Sequence, residues 1–210
     1  MDFTGERFVP QVEGDIRLEH LHRYFAARHL VQGKRVLDIA CGEGYGSDLL
    51  AGIAASVVGV DIDEASIAHA CQAYIRPNIR FLVGDAVAIP IEDASIDVVV
   101  SFETIEHLTD HRTMMLEIKR VLAPDGVLVL SSPDRHEYSD VPRYKNPYHV
   151  RELYLSELQA LLNEHFGGHA IYGQRVHYAS VLAPAEGRSE SPFIGYREDE
   201  GGVIEGGGAA

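Results

Sequence analysis

The chain has 210 residues, 46% apolar and 24% charged, the size and balance of one ordinary globular domain with one hydrophobic core. A formal charge of -14 opposes any partner held mainly through phosphates, which would need a Lys/Arg surface, so no nucleic acid is expected as a partner. No apolar run is long enough to span a bilayer, residues 1–10 lack an apolar signal core, and Cys41 and Cys71 are too few for a disulfide framework, so a cytoplasmic protein is expected.

In chain order, Leu21, Phe25 and Leu30 give Leu18–Val31 helical spacing, and residues 1–33 are expected to form a helical lid that packs on the sheet edge or roofs the site. From residue 34 to residue 176, strand-length apolar runs alternate with helix-period segments, the pattern of a parallel sheet flanked by helices. The expected strands are Arg35–Ile39, Val57–Val60, Ile79–Val83, Ile96–Ser101, Val127–Ser131 and His169–Val176. Most are near-continuous apolar runs, as strands buried on both faces require. Gly46–Ile53, Glu64–Ile75, Arg112–Leu122 and Glu157–Phe166 read as helices, the last opened by a capping-box pattern of Ser156 and Gln159. Pro124, Asp125 and Gly126 turn the chain into the fifth strand. The fold class expected is α/β: a Rossmann-like, mostly parallel sheet with helices on both faces, in one domain over residues 34–184. Residues 185–210 are rich in Gly, Glu and Ser and are expected to be a flexible tail.

Between the first strand and its helix stands Asp38-Ile39-Ala40-Cys41-Gly42-Glu43-Gly44-Tyr45-Gly46, a glycine-rich turn that lets backbone approach a ligand closely. Asp61, 19 residues past Gly42, ends the second strand, where a carboxylate can accept hydrogen bonds from both hydroxyls of a ribose. Loop and acid together describe an adenosine site. Asp38 separates the cofactors that carry adenosine. Its charge would repel a pyrophosphate over the turn and attract the sulfonium and amino groups of S-adenosylmethionine. A purely structural Asp38, tying the loop by hydrogen bonds, is the alternative.

Asp38, Gly42 and Gly44 resemble the first motif of the class I S-adenosylmethionine-dependent methyltransferases, with Ala40 in place of the motif's first glycine. Gly84-Asp85-Ala86 resembles the family's adenine motif, Ile96–Ser101 its fourth motif, and Val121–Gly126 the stretch before the fifth strand. The resemblance implies a cofactor site made of Asp38, Ala40, Cys41, Gly42, Gly44, Tyr45, Asp61, Ile62, Asp85, Ala86 and Phe102, with Asp61 on ribose and Asp85 on the adenine amino group. It also implies a final antiparallel strand beside the fifth. Tyr178–Ala183 either fills that role or leaves an exposed edge, which would favour a homodimer.

Ligands of an open parallel sheet sit at the carboxyl ends of its strands, which directs the methyl acceptor to Phe102–Leu108 and Ser132–His136. Glu103, Glu106 and His107 there resemble the Glu-x-x-Glu-His of some O-methyltransferases that hold a divalent cation such as Mg2+, and their donor set suits one. Equally, the pair Glu106-His107 can simply cap a turn. Methyl transfer to a hydroxyl needs a base, for which His107 stands first and His149, in a long loop able to cover the pocket, second; Glu103 completes the catalytic set. The segments Phe3–Pro10 and Glu19–Tyr24 resemble the lead-in of bacterial surface-glycan methyltransferases, and Arg23 and Tyr24 are possible donors to a small-molecule or carbohydrate acceptor. A nicotinamide-dependent oxidoreductase and a non-catalytic cofactor-binding subunit are the rival readings.

Overall fold

The computed structural model describes residues 14–176, together with the backbone of 179–182, 193–199 and 202–208. It divides into two compact units, Met1–Ile171 and Tyr172–Ala210. The segment Phe3–Pro10 lies outside the described residues.

In the first unit, β1 (Arg35–Ile39), β2 (Ser56–Asp61), β3 (Ile79–Val83), β4 (Ile96–Phe102) and β5 (Leu122–Ser131) form one sheet in the order β3-β2-β1-β4-β5. Every neighbouring pair is parallel. Alternate side chains of β1 serve opposite faces. Val36 joins Val57, Val98 and Val100 against α1 (Asp15–Val31) and α2 (Tyr45–Ala51). Leu37 and Ile39 join Val58, Val60 and Val99 against Met114, Met115, Ile118 and Val121 of α4 (His111–Val121). α3 (Glu64–Ala73) closes a smaller cluster of Cys41, Ile67, Ala70 and Phe81. The chain leaves β1 toward β2 and β3, then returns to the other side of β1 with β4. That reversal opens a crevice above the carboxyl ends of β1 and β4, which is where the site must be sought.

Several expectations are corrected. α1 buries Tyr24, Ala27 and Val31, whereas Phe25 and Leu30 are about half exposed. Gly46 of α2, lacking a side chain, leaves the room that the Tyr24 ring occupies. β5 starts five residues before Val127 because Leu122 already pairs with Ile96; the expected Pro124–Gly126 turn is an irregularity inside the strand, with Asp125 at φ 64°. α5 (Leu155–His165) begins earlier than expected, since the Glu157 carboxylate accepts the Tyr154 amide at 3.1 Å and sets the cap there, not at Ser156. His169–Val176 forms no strand: Ile171 and Tyr172 are exposed, and Gly173, Gln174 and Arg175 supply no apolar face to pair a sheet edge around.

In the second unit, β6 (Ala179–Leu182), β7 (Phe193–Asp199) and β8 (Gly202–Gly208) form an antiparallel sheet in that order. The segment expected as a flexible tail thus supplies two strands, and the expected final strand pairs with β7 rather than β5. The β7–β8 ladder runs from Phe193 opposite Gly208 to Asp199 opposite Gly202. Among the described residues no helix is long and apolar enough to cross a membrane.

Candidate active site at the carboxyl end of the sheet

The turn after β1 bends through Ala40, Gly42 and Gly44 at φ 58°, 54° and 88°. Left-handed backbone at Ala40 costs about 1 kcal/mol that a glycine would not incur. At Gly44, which caps α2, a Cβ would lie 2.8 Å from both Ala70 and the Phe81 ring, so glycine is required by space as well as by φ. Gly46 allows still closer contact, because a Cβ there would fall 1.9 Å from the Tyr24 ring.

Asp61 ends β2 beside this turn, as expected. Its Oδ2 accepts the Gly42 amide at 2.8 Å and its Oδ1 the Asp63 amide at 2.9 Å. A carboxylate has about four acceptor positions, so capacity is left for further donors. Ile62, the next residue, is 68% exposed, an aliphatic surface at the crevice mouth. Asp85 accepts the Val87 amide at 3.0 Å and thereby closes the turn after β3, while Ala86 is buried in the core.

Asp38 lies two residues beyond Val36 and on the same face, under α1. It is buried, accepts Ser47 Oγ at 2.6 Å, and receives the Tyr24 hydroxyl at 3.3 and 3.4 Å. Burial pushes its pKa up to about 7; the Ser47 and Tyr24 bonds oppose that rise and the Asp61 charge adds to it. Its bonds are thus those of a loop-tying residue, and its charge stands beneath the turn. Burial likewise pushes the Cys41 thiol far up, which keeps it inert as a packing group. The Tyr45 hydroxyl meets His20 Nδ1 at 3.3 Å.

α1 packs beside the glycine turn and the end of β4. The Tyr24 ring meets Tyr45 edge-on at 5.4 Å and Phe102 at 5.0 Å. Tyr24 bonds to Asp38 and is only 5% exposed, and Arg23 pairs with Glu103 at 3.3 Å, so the two residues expected to reach the acceptor tie α1 to the first and fourth strands.

At the end of β4, Glu103 takes φ 48° and is held by Ser131, whose hydroxyl donates to Glu103 Oε1 at 2.6 Å. Glu103 is not part of the cluster that Glu106 and His107 form. Glu106 and His107, in a 3₁₀ turn over Ile105–His107, instead meet His149: one potential ligand atom from each lies within 4.8 Å of the others. The imidazoles stand 5.2 Å apart and perpendicular. His107 Nδ1 contacts the Tyr148 carbonyl at 3.0 Å, and His149 Nδ1 contacts Glu152 Oε1 at 2.6 Å. The long loop after β5 is pinned here because the Glu106 carbonyl accepts the Val150 and Arg151 amides. The Glu106 side chain is fully buried, and neither carboxylate oxygen has a hydrogen-bond partner among the described residues. Burial, then the Glu103 charge, pushes its pKa up to about 8. Sequence reasoning missed Glu152; its only signal is that it follows His149 by three residues.

Residues 37–130 match the methyltransferase domain family. A protein of Mycolicibacterium smegmatis, named "Probable S-adenosylmethionine-dependent methyltransferase/", is 42% identical over 167 residues, covering 77% of this chain and 63% of its own length. A Mycobacterium tuberculosis protein named in the same way is 38% identical over 174 residues, covering 77% of this chain and 60% of its own. The chain thus spans about three fifths of the length of these curated relatives. Among solved structures, the YcgJ protein of Bacillus subtilis superposes with a TM-score of 0.63 at 26% identity, over 78% of this chain and 74% of that one. Sheet order, glycine turn, strand-end acid and these likenesses agree, and they set aside the nicotinamide reading: the chain belongs to the class I S-adenosylmethionine-dependent methyltransferases.

Proposed function

We propose that this chain moves the methyl group of S-adenosylmethionine to a hydroxyl oxygen of a small-molecule or glycan acceptor. The observation that carries the reading is the convergence of Glu106, His107 and His149 at the acceptor end of a crevice whose other end is the glycine turn. Bound S-adenosylmethionine supplies an electrophilic methyl on a sulfonium. The chain supplies the rest. The turn over Ala40, Cys41, Gly42 and Gly44 offers close-approaching backbone, and Asp38 and Asp61 set a negative potential that suits a cationic ligand. Asp61 takes the ribose hydroxyls with its remaining acceptor capacity, Ile62 and Ala86 flank the adenine, Asp85 accepts from its amino group, and Tyr45 and Phe102 wall the reacting end. Alignment of oxygen, methyl carbon and sulfur then lets the C–O bond form as the C–S bond breaks, its electron pair going to sulfur. Activation of the acceptor hydroxyl falls to the Glu106, His107 and His149 group, which no nitrogen nucleophile would need to the same degree.

Titration calorimetry with S-adenosylhomocysteine, and with NAD as control, tests the first half. Micromolar binding of the former alone is expected. Transfer of labelled methyl to hydroxylated acceptors, followed by mass location of the label, tests the second. Label found on nitrogen or carbon overturns the oxygen assignment.

A further inference from the structure

The loop after β5 sorts its charges. Asp140 and Glu152 bound a run, 141–151, that holds Arg143, Lys145 and Arg151 and no Asp or Glu, in a chain of net charge -14. Both bounding acids are engaged. Asp140 accepts the Tyr154 hydroxyl at 2.8 Å, and Glu152 takes His149 Nδ1 at 2.6 Å together with the Ser139 hydroxyl. Arg151 pairs with Glu157 at 2.9 Å, whereas Arg143 and Lys145 are exposed and pair with no carboxylate among the described residues. Arg143 stands at φ 55°, a conformation that glycine takes at less cost, so the turn itself does not call for an arginine. Interleaved with these cations, Val141, Tyr144 and Val150 are 62%, 50% and 58% exposed. The stretch is not loose chain. The Tyr144 amide donates to the Ser139 carbonyl at 3.0 Å, the Val150 and Arg151 amides donate to the Glu106 carbonyl, and the Tyr144 ring meets Tyr138 at 5.7 Å. Apolar side chains are thus held out in water beside unpaired cations.

A soluble anion would pair the cations and leave the valines in water, and an uncharged apolar surface would cover the valines and strip the cations of their water. An anionic bilayer satisfies both halves. Its headgroups take Arg and Lys, the boundary of its acyl chains takes valine side chains, and tyrosine rings settle between the two. We propose that Val141, Arg143, Tyr144, Lys145 and Val150 dock the protein on an anionic membrane surface. The charge of the whole chain bears on the orientation, because a net charge of -14 is repelled by such a surface and contact is left to stretches without acid. With two unpaired cations the attachment is weak and reversible, and salt screens it. His149 stands next to Val150 in the chain, and Glu106 holds Val150 and Arg151 through its carbonyl. Docking therefore carries the acceptor end to the bilayer, and the acceptor class that it serves is an amphiphile whose hydroxyl stands at headgroup level. That consequence rests on the proposed function; the docking itself does not.

The test is co-sedimentation of the full chain with vesicles of phosphatidylcholine and with vesicles of phosphatidylcholine and phosphatidylglycerol, beside a titration of the same sample with S-adenosylhomocysteine. Sedimentation with the anionic vesicles alone, lost at high salt, is expected. Arg143→Gln with Lys145→Gln should weaken it about 25-fold, roughly fivefold for each cation. Val141→Ser with Val150→Ser should weaken it about tenfold. Both pairs of substitutions should leave the melting temperature and the affinity for S-adenosylhomocysteine unchanged, which separates loss of the surface from loss of the fold. The chain has no Trp, so Tyr144→Trp reports from one place: its emission should shift to the blue with anionic vesicles and be quenched by brominated acyl chains. Emission that stays put while the protein sediments shows that another face is bound and overturns the proposal, as does equal sedimentation of parent and variants. Retention on heparin that falls in Arg143→Gln with Lys145→Gln, without sedimentation on vesicles, assigns the loop to a soluble polyanion and also overturns it. Protein that binds S-adenosylhomocysteine and sediments with neither vesicle overturns the docking alone. Protein that sediments with anionic vesicles and binds no S-adenosylhomocysteine supports the docking and overturns the donor reading.

Discussion

Tyr24 occupies the space that a side chain on Gly46 would fill: the ring carbon of one lies 1.9 Å from the ideal Cβ of the other. α1 and α2 are therefore in contact only because residue 46 has no side chain. Gly46→Ala should lower stability by roughly 2 kcal/mol, the usual cost of overpacking a closed core, by displacing Tyr24 and with it the bond to Asp38. Urea denaturation measures this, and a midpoint unchanged from the parent would show that α1 yields without resistance.

Four groups shape the pH response near neutrality among the described residues. Asp38 is pushed up to about 7 and Glu106 to about 8, mainly by burial, while burial and then Arg23 bring His20 down to about 4 and burial lowers His111 as well. Below about pH 6.5 the unfolded chain holds extra protons on His20 and His111, which opposes the two carboxyls that stay protonated only when folded. Above 6.5 that opposition ends. Native protein still binds more protons than unfolded protein, so stability should fall as pH rises from 6.5 toward 8.5. Asp38→Asn cannot ionise and should flatten this slope. Parallel pH profiles for parent and variant in chemical denaturation would remove Asp38 as a contributor.

Asp61 joins the turn after β1 to the start of α3 through its two amide bonds. Asp61→Ala should weaken S-adenosylhomocysteine binding about 10- to 100-fold, the worth of charge-assisted hydrogen bonds to a ribose together with the loosened turn. Titration calorimetry reads the change directly. Equal affinity would take the ribose from Asp61.

Arg120 of α4 donates to the Ile89 and Ile91 carbonyls at 2.8 Å each and pairs with Glu117 and Asp93. Glu117 in turn accepts the Ile89 amide at 2.9 Å. This clamp holds the segment after Asp85 against α4. Arg120→Ala leaves partly buried carbonyls without donors and should cost about 1–3 kcal/mol. Faster hydrogen exchange confined to residues 85–93 would accompany it, and uniform exchange across the unit would assign the loss to α4 alone.

Strands buried on both faces are plain in sequence because both of their side-chain sets are apolar, and so β1, β2 and β4 stand within a residue of expectation; the edge strand β3 is found as well, its four apolar residues outweighing the exposed Arg80. β5 was harder to bound, since Leu122 pairs with Ile96 across an irregularity that carries the chemistry of a turn. The site divides in the same way. Asp38, Gly42, Gly44 and Asp61 are local to one turn and two strand ends, and spacing alone groups them. Glu106 and His149 are brought together by two backbone hydrogen bonds from residues 150 and 151 to Glu106, and nothing in the intervening sequence records that closure. Arg120 likewise reads as an ordinary charged helix residue until its carbonyl partners, about thirty positions away, are seen.

Arg23 and Tyr24 are consecutive residues, yet one is fastened to Glu103 beside the acceptor end and the other to Asp38 beneath the glycine turn. Under the proposed function, one turn of α1 is thus a shared wall of the donor and acceptor places. Any ligand that moves it at one end changes the other, and linkage makes the two effects equal: whatever factor the methyl donor contributes to acceptor affinity, the acceptor returns to the donor.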